Sequence, residues 1–110
     1  MGQQHLTDFE LMLVLAILRI GDEAYGVEIA REIERTCGRR IVLAAAYAAL
    51  DRMEQSQLVA SRLGSPTPER GGRAKRFFSV TPRGIRAARD TQNAFIALWR
   101  DLPQLKERRT

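Results

Sequence analysis

Between Gly64 and Arg73 the chain reads GSPTPERGGR, two prolines and three glycines in ten residues. No helix tolerates that density of either residue. The segment is therefore a loop, and what flanks it must be separate elements. On one side Leu58 to Leu63 alternates weakly. On the other, Ala74 to Val80 carries the strand formers Phe77, Phe78 and Val80. Two short strands around such a loop predict a β-hairpin. Directly after it stands Thr81-Pro82, a capping residue followed by a proline suited to the first helical turn. A helix is expected from about Pro82 to Asp101, stopping before Pro103.

Everything upstream of the hairpin reads as helix. Thr7-Asp8-Phe9-Glu10 has the pattern of a capping box, with Leu6 and Leu11 placed for a hydrophobic staple. The first helix is expected over about Asp8 to Ile20. It is apolar nearly all round, which implies burial on more than one side and hints at a second subunit. After the Gly21-Asp22 turn, a second helix is expected from about Ala24 to Cys37. Ile29, Ile33 and Cys37 form its core stripe, with Cys37 packing as a small apolar residue. Glu28, Arg31, Glu32 and Arg35 fall on its solvent side, and Gly38 ends it. A third helix, about Leu43 to Gln57, carries Leu43, Tyr47, Leu50 and Met53 at helical spacing, with Ala44, Ala45 and Ala46 favouring helix.

The charge is divided along the chain. Residues 1–55 hold six cations and nine acids, whereas residues 56–110 hold twelve cations and four acids. Sixteen of the eighteen cations are arginine, the side chain that pairs with phosphate and guanine in a planar fork. A basic half of this kind suggests a polyanion as partner. In 110 residues one compact domain is expected. The apolar run Leu11 to Leu18 is too short to cross a bilayer, and no secretory pattern opens the chain, so a cytoplasmic protein is expected.

The helix, helix, helix, hairpin, helix order is the layout of a winged helix-turn-helix, mostly α with a β-hairpin wing. In that layout the third helix enters the major groove of DNA. The loop glycines and prolines let backbone N–H groups approach phosphates, and the loop arginines neutralise them or enter the minor groove. Three stretches carry a more specific likeness: LTDFELMLVLAILRIGDEAYGVEIAREIE, YAALDRMEQSQLVASRLG and TPERGGRAKRFFSVTPRG. In order and spacing they resemble the PadR family of transcriptional regulators over nearly the whole chain. The resemblance implies a homodimeric winged-helix repressor of the short subgroup, with residues 1–81 binding double-stranded DNA at an inverted-repeat operator. Residues 82–110 would then form the C-terminal dimerisation helix and tail.

On that resemblance Tyr25 and Tyr47 match tyrosines that touch the DNA backbone, and Gly71, Gly72, Arg73 and Lys75 match the wing tip. Arg70 joins them by position, and Arg39 and Arg40 precede the third helix, within reach of phosphates or simply solvated. Tyr47 divides between core packing and phosphate contact. At the start of the third helix the family often has polar residues where this chain has Leu43-Ala44-Ala45-Ala46. Ala45 there is able to touch a thymine methyl but not to hydrogen-bond a base edge. More of the specificity would then rest on the wing and on DNA shape. The first and last helices would build the dimer, through Phe9, Phe95, Leu98 and Trp99. Phe95 and Trp99, one turn apart, read first as dimer core; the family also implies a platform for a flat apolar effector.

Other functional classes find little support. A single His and a single Cys on different elements make no metal site. Nucleophilic catalysis would need a nucleophile, a base and an orienting group together. No cofactor-binding motif is present. A winged-helix module that binds an acidic protein through the basic hairpin is the second reading.

Overall fold

The computed structural model describes residues 4–65 and 74–106. Helix α1, Asp8–Ile20, begins as its capping box dictates. The Thr7 hydroxyl accepts the Glu10 N–H at 3.1 Å, and the Glu10 carboxylate accepts the Thr7 N–H at 2.8 Å. Leu6 is buried before the cap and Leu11 packs against the core, as a staple requires. Leu13, Val14, Ala16 and Ile17 are buried, while Leu15 and Leu18 remain exposed. Gly21, at φ 95°, ends the helix in a conformation that side-chain-bearing residues rarely adopt.

Here the chain departs from the sequence expectation. Ala24–Tyr25 do not start the second helix; they form a short strand, β1. The helix α2 is Gly26–Cys37, closed by Gly38 at φ 70°. Helix α3 is Leu43–Gln55, two residues shorter than expected, because Gln57 turns to φ 63°. That turn sends Leu58 back toward α3, where its N–H donates to the Met53 carbonyl at 2.8 Å. Strand β2, Val59–Leu63, and strand β3, Arg76–Val80, pair antiparallel, with Ser61 opposite Phe78. Strand β1 adds to the other edge of β3, Ala24 opposite Phe78, giving the order β1–β3–β2. Thr81 then caps α4, Pro82–Trp99, its hydroxyl accepting the Gly84 N–H at 3.0 Å. The helix stops two residues before the expected Asp101, and a 3-10 turn, Pro103–Leu105, follows.

The fold is thus four helices with a three-stranded sheet, mostly α with a hairpin wing. The strand pleat sends adjacent side chains to opposite faces. Phe78 enters the core with Leu50, Met53, Leu58 and Val59, and Phe77 turns outward onto Tyr25, ring centroids 6.1 Å apart and edge to face. Helix α4 crosses the hairpin base at Gly84, where even a methyl group would collide with the Leu58 carbonyl oxygen. Further along, the buried Thr91 hydroxyl accepts the Leu6 N–H at 2.9 Å and donates to the Ala87 carbonyl, tying α4 to the N-terminal arm.

Two side chains of α2 sit opposite to expectation. Cys37 is exposed, because the last turn of α2 projects past the core. Glu32 is buried rather than solvated. It receives the Arg19 guanidinium of α1 at 2.9 Å, the Arg35 guanidinium and the Thr36 hydroxyl at 3.0 Å. Those three donors, Arg19 foremost, hold its carboxyl below the ordinary carboxylate range. A buried carboxylate needs such pairing to be tolerated.

Candidate nucleic-acid interface

Helix α3 hides one face and leaves the other free. Ala46, Ala49, Leu50 and Met53 are buried; Leu43, Ala44, Ala45 and Ala48 are exposed. Leu43, expected on the apolar stripe, sits at the open first turn with the exposed Val42 before it. The free face is low and apolar. It offers no hydrogen-bonding side chain at Ala44, Ala45 or Ala48.

Beside that face lies a groove of about 380 Å³ lined by Tyr25, Val27, Arg31, Tyr47, Ala74, Lys75 and Arg76. Three of the sequence candidates, Tyr25, Tyr47 and Lys75, therefore line one depression. Local chemistry explains how. Pairing of β1 with β3 holds Tyr25 next to the hairpin. The Lys75 ammonium lies 4.2 Å from the Tyr25 ring centroid, a cation–π contact. Tyr47 is half-buried, its ring against the backbone of Gly26; a methyl there would run into the phenol. Glycine at the start of α2 is what lets Tyr47 lie across this end of the helix. The tyrosine is both packed and open to the groove.

The arginines divide. Arg40 is exposed in the α2–α3 turn and makes no ion pair among the described residues. Arg39 beside it is engaged, donating to the Asp8 carboxylate at 3.1 Å and holding that carboxyl below its usual range. Arg62 stacks over Phe77 at 4.8 Å and donates to the Asp22 carbonyl at 3.1 Å. Arg76 is bonded to acids of α3. Arg70, Gly71, Gly72 and Arg73, the expected wing tip, lie outside the described residues. Val27 and Arg31 in the groove went unmarked in the sequence reading. Their i, i+4 spacing after Tyr25 puts them on one helix face, and that spacing was the available signal.

Of the residues expected at the dimer interface, Phe9 is partly buried against the core, whereas Phe95, Leu98 and Trp99 are exposed on α4. Among the described residues no cluster of His, Cys, Asp or Glu is suited to hold a metal ion, and no helix is long and apolar enough to cross a membrane.

Comparison with known proteins bears directly on this arrangement. The model of the PadR-like family of transcriptional regulators matches residues 14–90, from the middle of α1 through the hairpin into α4. The chain belongs to the PadR-like family. Solved structures share the PadR-like fold at low identity. A transcriptional regulator from Clostridium thermocellum, Cth-833, aligns at TM-score 0.73 and 19% identity, covering 90% of each chain. A PadR family regulator from Eggerthella lenta DSM 2243 aligns at 0.68 and 20%, covering 89% of this chain and 83% of its own. A PadR family regulator from Clostridium difficile R20291 aligns at 0.65 and 22%, covering 87% and 96%. No curated protein matches the chain. PadR-like proteins are DNA-binding transcriptional regulators rather than enzymes.

Proposed function

We propose that the chain is a homodimeric, cytoplasmic repressor that binds an inverted-repeat operator. The observation that carries this is the convergence of Tyr25, Tyr47 and Lys75 on one groove beside the free face of α3. In this reading α3 enters the major groove, with Ala45 against a thymine methyl. Tyr25, Tyr47, Lys75 and Arg40 hold the flanking phosphates, and Arg70, Gly71, Gly72 and Arg73 at the wing tip extend the contact to phosphates or minor groove. Residues 1–81 form the DNA-binding part, and residues 82–110 the dimerisation helix and tail. The exposed Phe95, Leu98 and Trp99 support the second assignment, with Phe9 of α1 placed on the same interface.

Two recognition helices related by a two-fold axis reach half-sites about 10 bp apart, one helical turn. Anisotropy titrations with such a duplex and a scrambled one, at low and moderate salt, test the reading. Preference for the inverted repeat, with affinity falling steeply with salt, is expected. Binding that ignores salt refutes it. Release of the repressor by a small-molecule effector is part of the same reading, and Trp99, the only tryptophan, reports on it. A flat aromatic compound seated beside Phe95 would quench Trp99 and weaken operator binding by linkage. If no compound does both, the aromatics are dimer core alone.

A further inference from the structure

Lys75 and Arg76 are adjacent in the chain and share a charge, yet the fold uses them differently. Lys75 lies over Tyr25 in the groove. Arg76 reaches into a set of acceptors drawn from two other elements. Its Nη1 donates to Asp51 at 2.8 Å and its Nη2 to Glu54 at 2.6 Å, both on α3. Its Nε donates to the Ser61 hydroxyl of β2 at 3.2 Å, and its guanidinium stacks over Phe78 at 4.8 Å. The Ser61 hydroxyl itself lies 2.9 Å from both Glu54 oxygens, closing the network. Asp51 and Glu54 stand one turn apart on the helix proposed to enter the groove, and Arg76 opens the strand that leads out of the wing.

We infer that Arg76 is a positioning residue, which sets the angle of the wing hairpin to α3 and does not itself bind phosphate. Each of its three nitrogens donates within the protein, and two of the three bonds go to carboxylates that already balance its charge. Partly exposed ion pairs of this kind add little to stability. What a guanidinium adds is geometry, because its planar fork meets several acceptors only in one orientation. Through it, the hairpin and α3 present themselves to DNA as one surface.

This inference rests on the DNA-binding reading, and opposite charge changes separate it from a plain electrostatic role. Glu54→Gln removes a negative charge near the interface, and Arg76→Gln removes a positive one. If Arg76 served DNA by charge, the first would tighten operator binding and the second loosen it. Positioning predicts that both loosen it, by about tenfold, and that the double variant is no worse than either single one. Arg76→Lys, which keeps the charge but cannot span the acceptors, loosens binding as well. In the three single variants the salt slope stays that of the wild type. Hydrogen exchange of the Val59–Leu63 and Arg76–Val80 amides in the free protein, expected to quicken in Glu54→Gln and Arg76→Lys, reads the same network without DNA. Should Arg76→Gln unfold, those two milder variants decide. Tighter binding by Glu54→Gln, wild-type binding by Arg76→Lys, or unchanged exchange in both overturns the inference. A wild-type protein that binds no duplex, with exchange still quickened in the variants, would instead strike the DNA-binding reading.

Discussion

The two halves of α4 are built from different residues and meet different surroundings. From Pro82 to Thr91 the inward positions are small, Gly84, Ala87, Ala88 and Thr91, and all are buried. From Gln92 to Trp99 the large apolar residues lie open: Phe95 is 59% exposed, Leu98 75% and Trp99 60%. Size and burial run opposite to the usual expectation, in which the largest apolar side chains are inside. Gly84 must be small because α4 passes directly over the Leu58 carbonyl there. Among the described residues the second half is left uncovered, and with Leu15 and Leu18 of α1 it presents exposed apolar surface. A second copy, joined by an isologous contact, is the proposed cover. One half completes the fold; on the proposed reading the other serves assembly.

The sharpest way to break this comparison is to exchange effects between the halves. Gly84→Val has no room against Leu58 and Val80. It should destabilise the protein by about 3 kcal/mol, an overpacking cost at the upper end, seen by thermal denaturation. Phe95→Asp should leave the fold intact but give monomers in size exclusion. Its operator affinity should fall on the order of a hundredfold, because two half-sites no longer bind together. A dimeric Phe95→Asp protein would reject the interface. Thr91→Val, between the halves, orphans the Leu6 N–H and should cost about 1.5 kcal/mol in denaturant unfolding.

The smallest expected effect is acidic. Arg76, and after it Ser61, hold the Glu54 carboxyl below its ordinary value of 4.5. A carboxyl lowered by folding stabilises the fold above that value and loses this contribution as pH falls through the folded one. Arg76→Gln removes the cause, so hairpin amides should lose protection at a higher pH than in the wild type, while the distal half of α4 stays unaffected.

Much of this was legible because the signals are local. The Thr7 and Thr81 caps and the Gly38 stop each act within a few residues, and each marks an element where it stands. β1 was not legible, since two residues become a strand only by meeting Phe77 and Phe78 far along the chain. Glu32 was misjudged for the same reason: Arg19, which holds it, lies on a different element. The partners of Arg76, which are Asp51, Glu54 and Ser61, likewise lie on other elements, and charge content does not show them. At the candidate site, the family resemblance indicated Tyr25, Tyr47 and Lys75, but only the fold places them in one groove, with Arg31 beside them.

The most direct test of the account is the salt dependence of operator binding by wild type and Lys75→Ala, measured side by side with both proteins folded and dimeric. If Lys75 works in the groove on a phosphate, the plot of log affinity against log salt becomes shallower by about one for each site lost, and affinity falls alike on specific and scrambled duplexes. A Lys75→Ala dimer that binds with the wild-type affinity and slope would contradict the groove as the DNA interface.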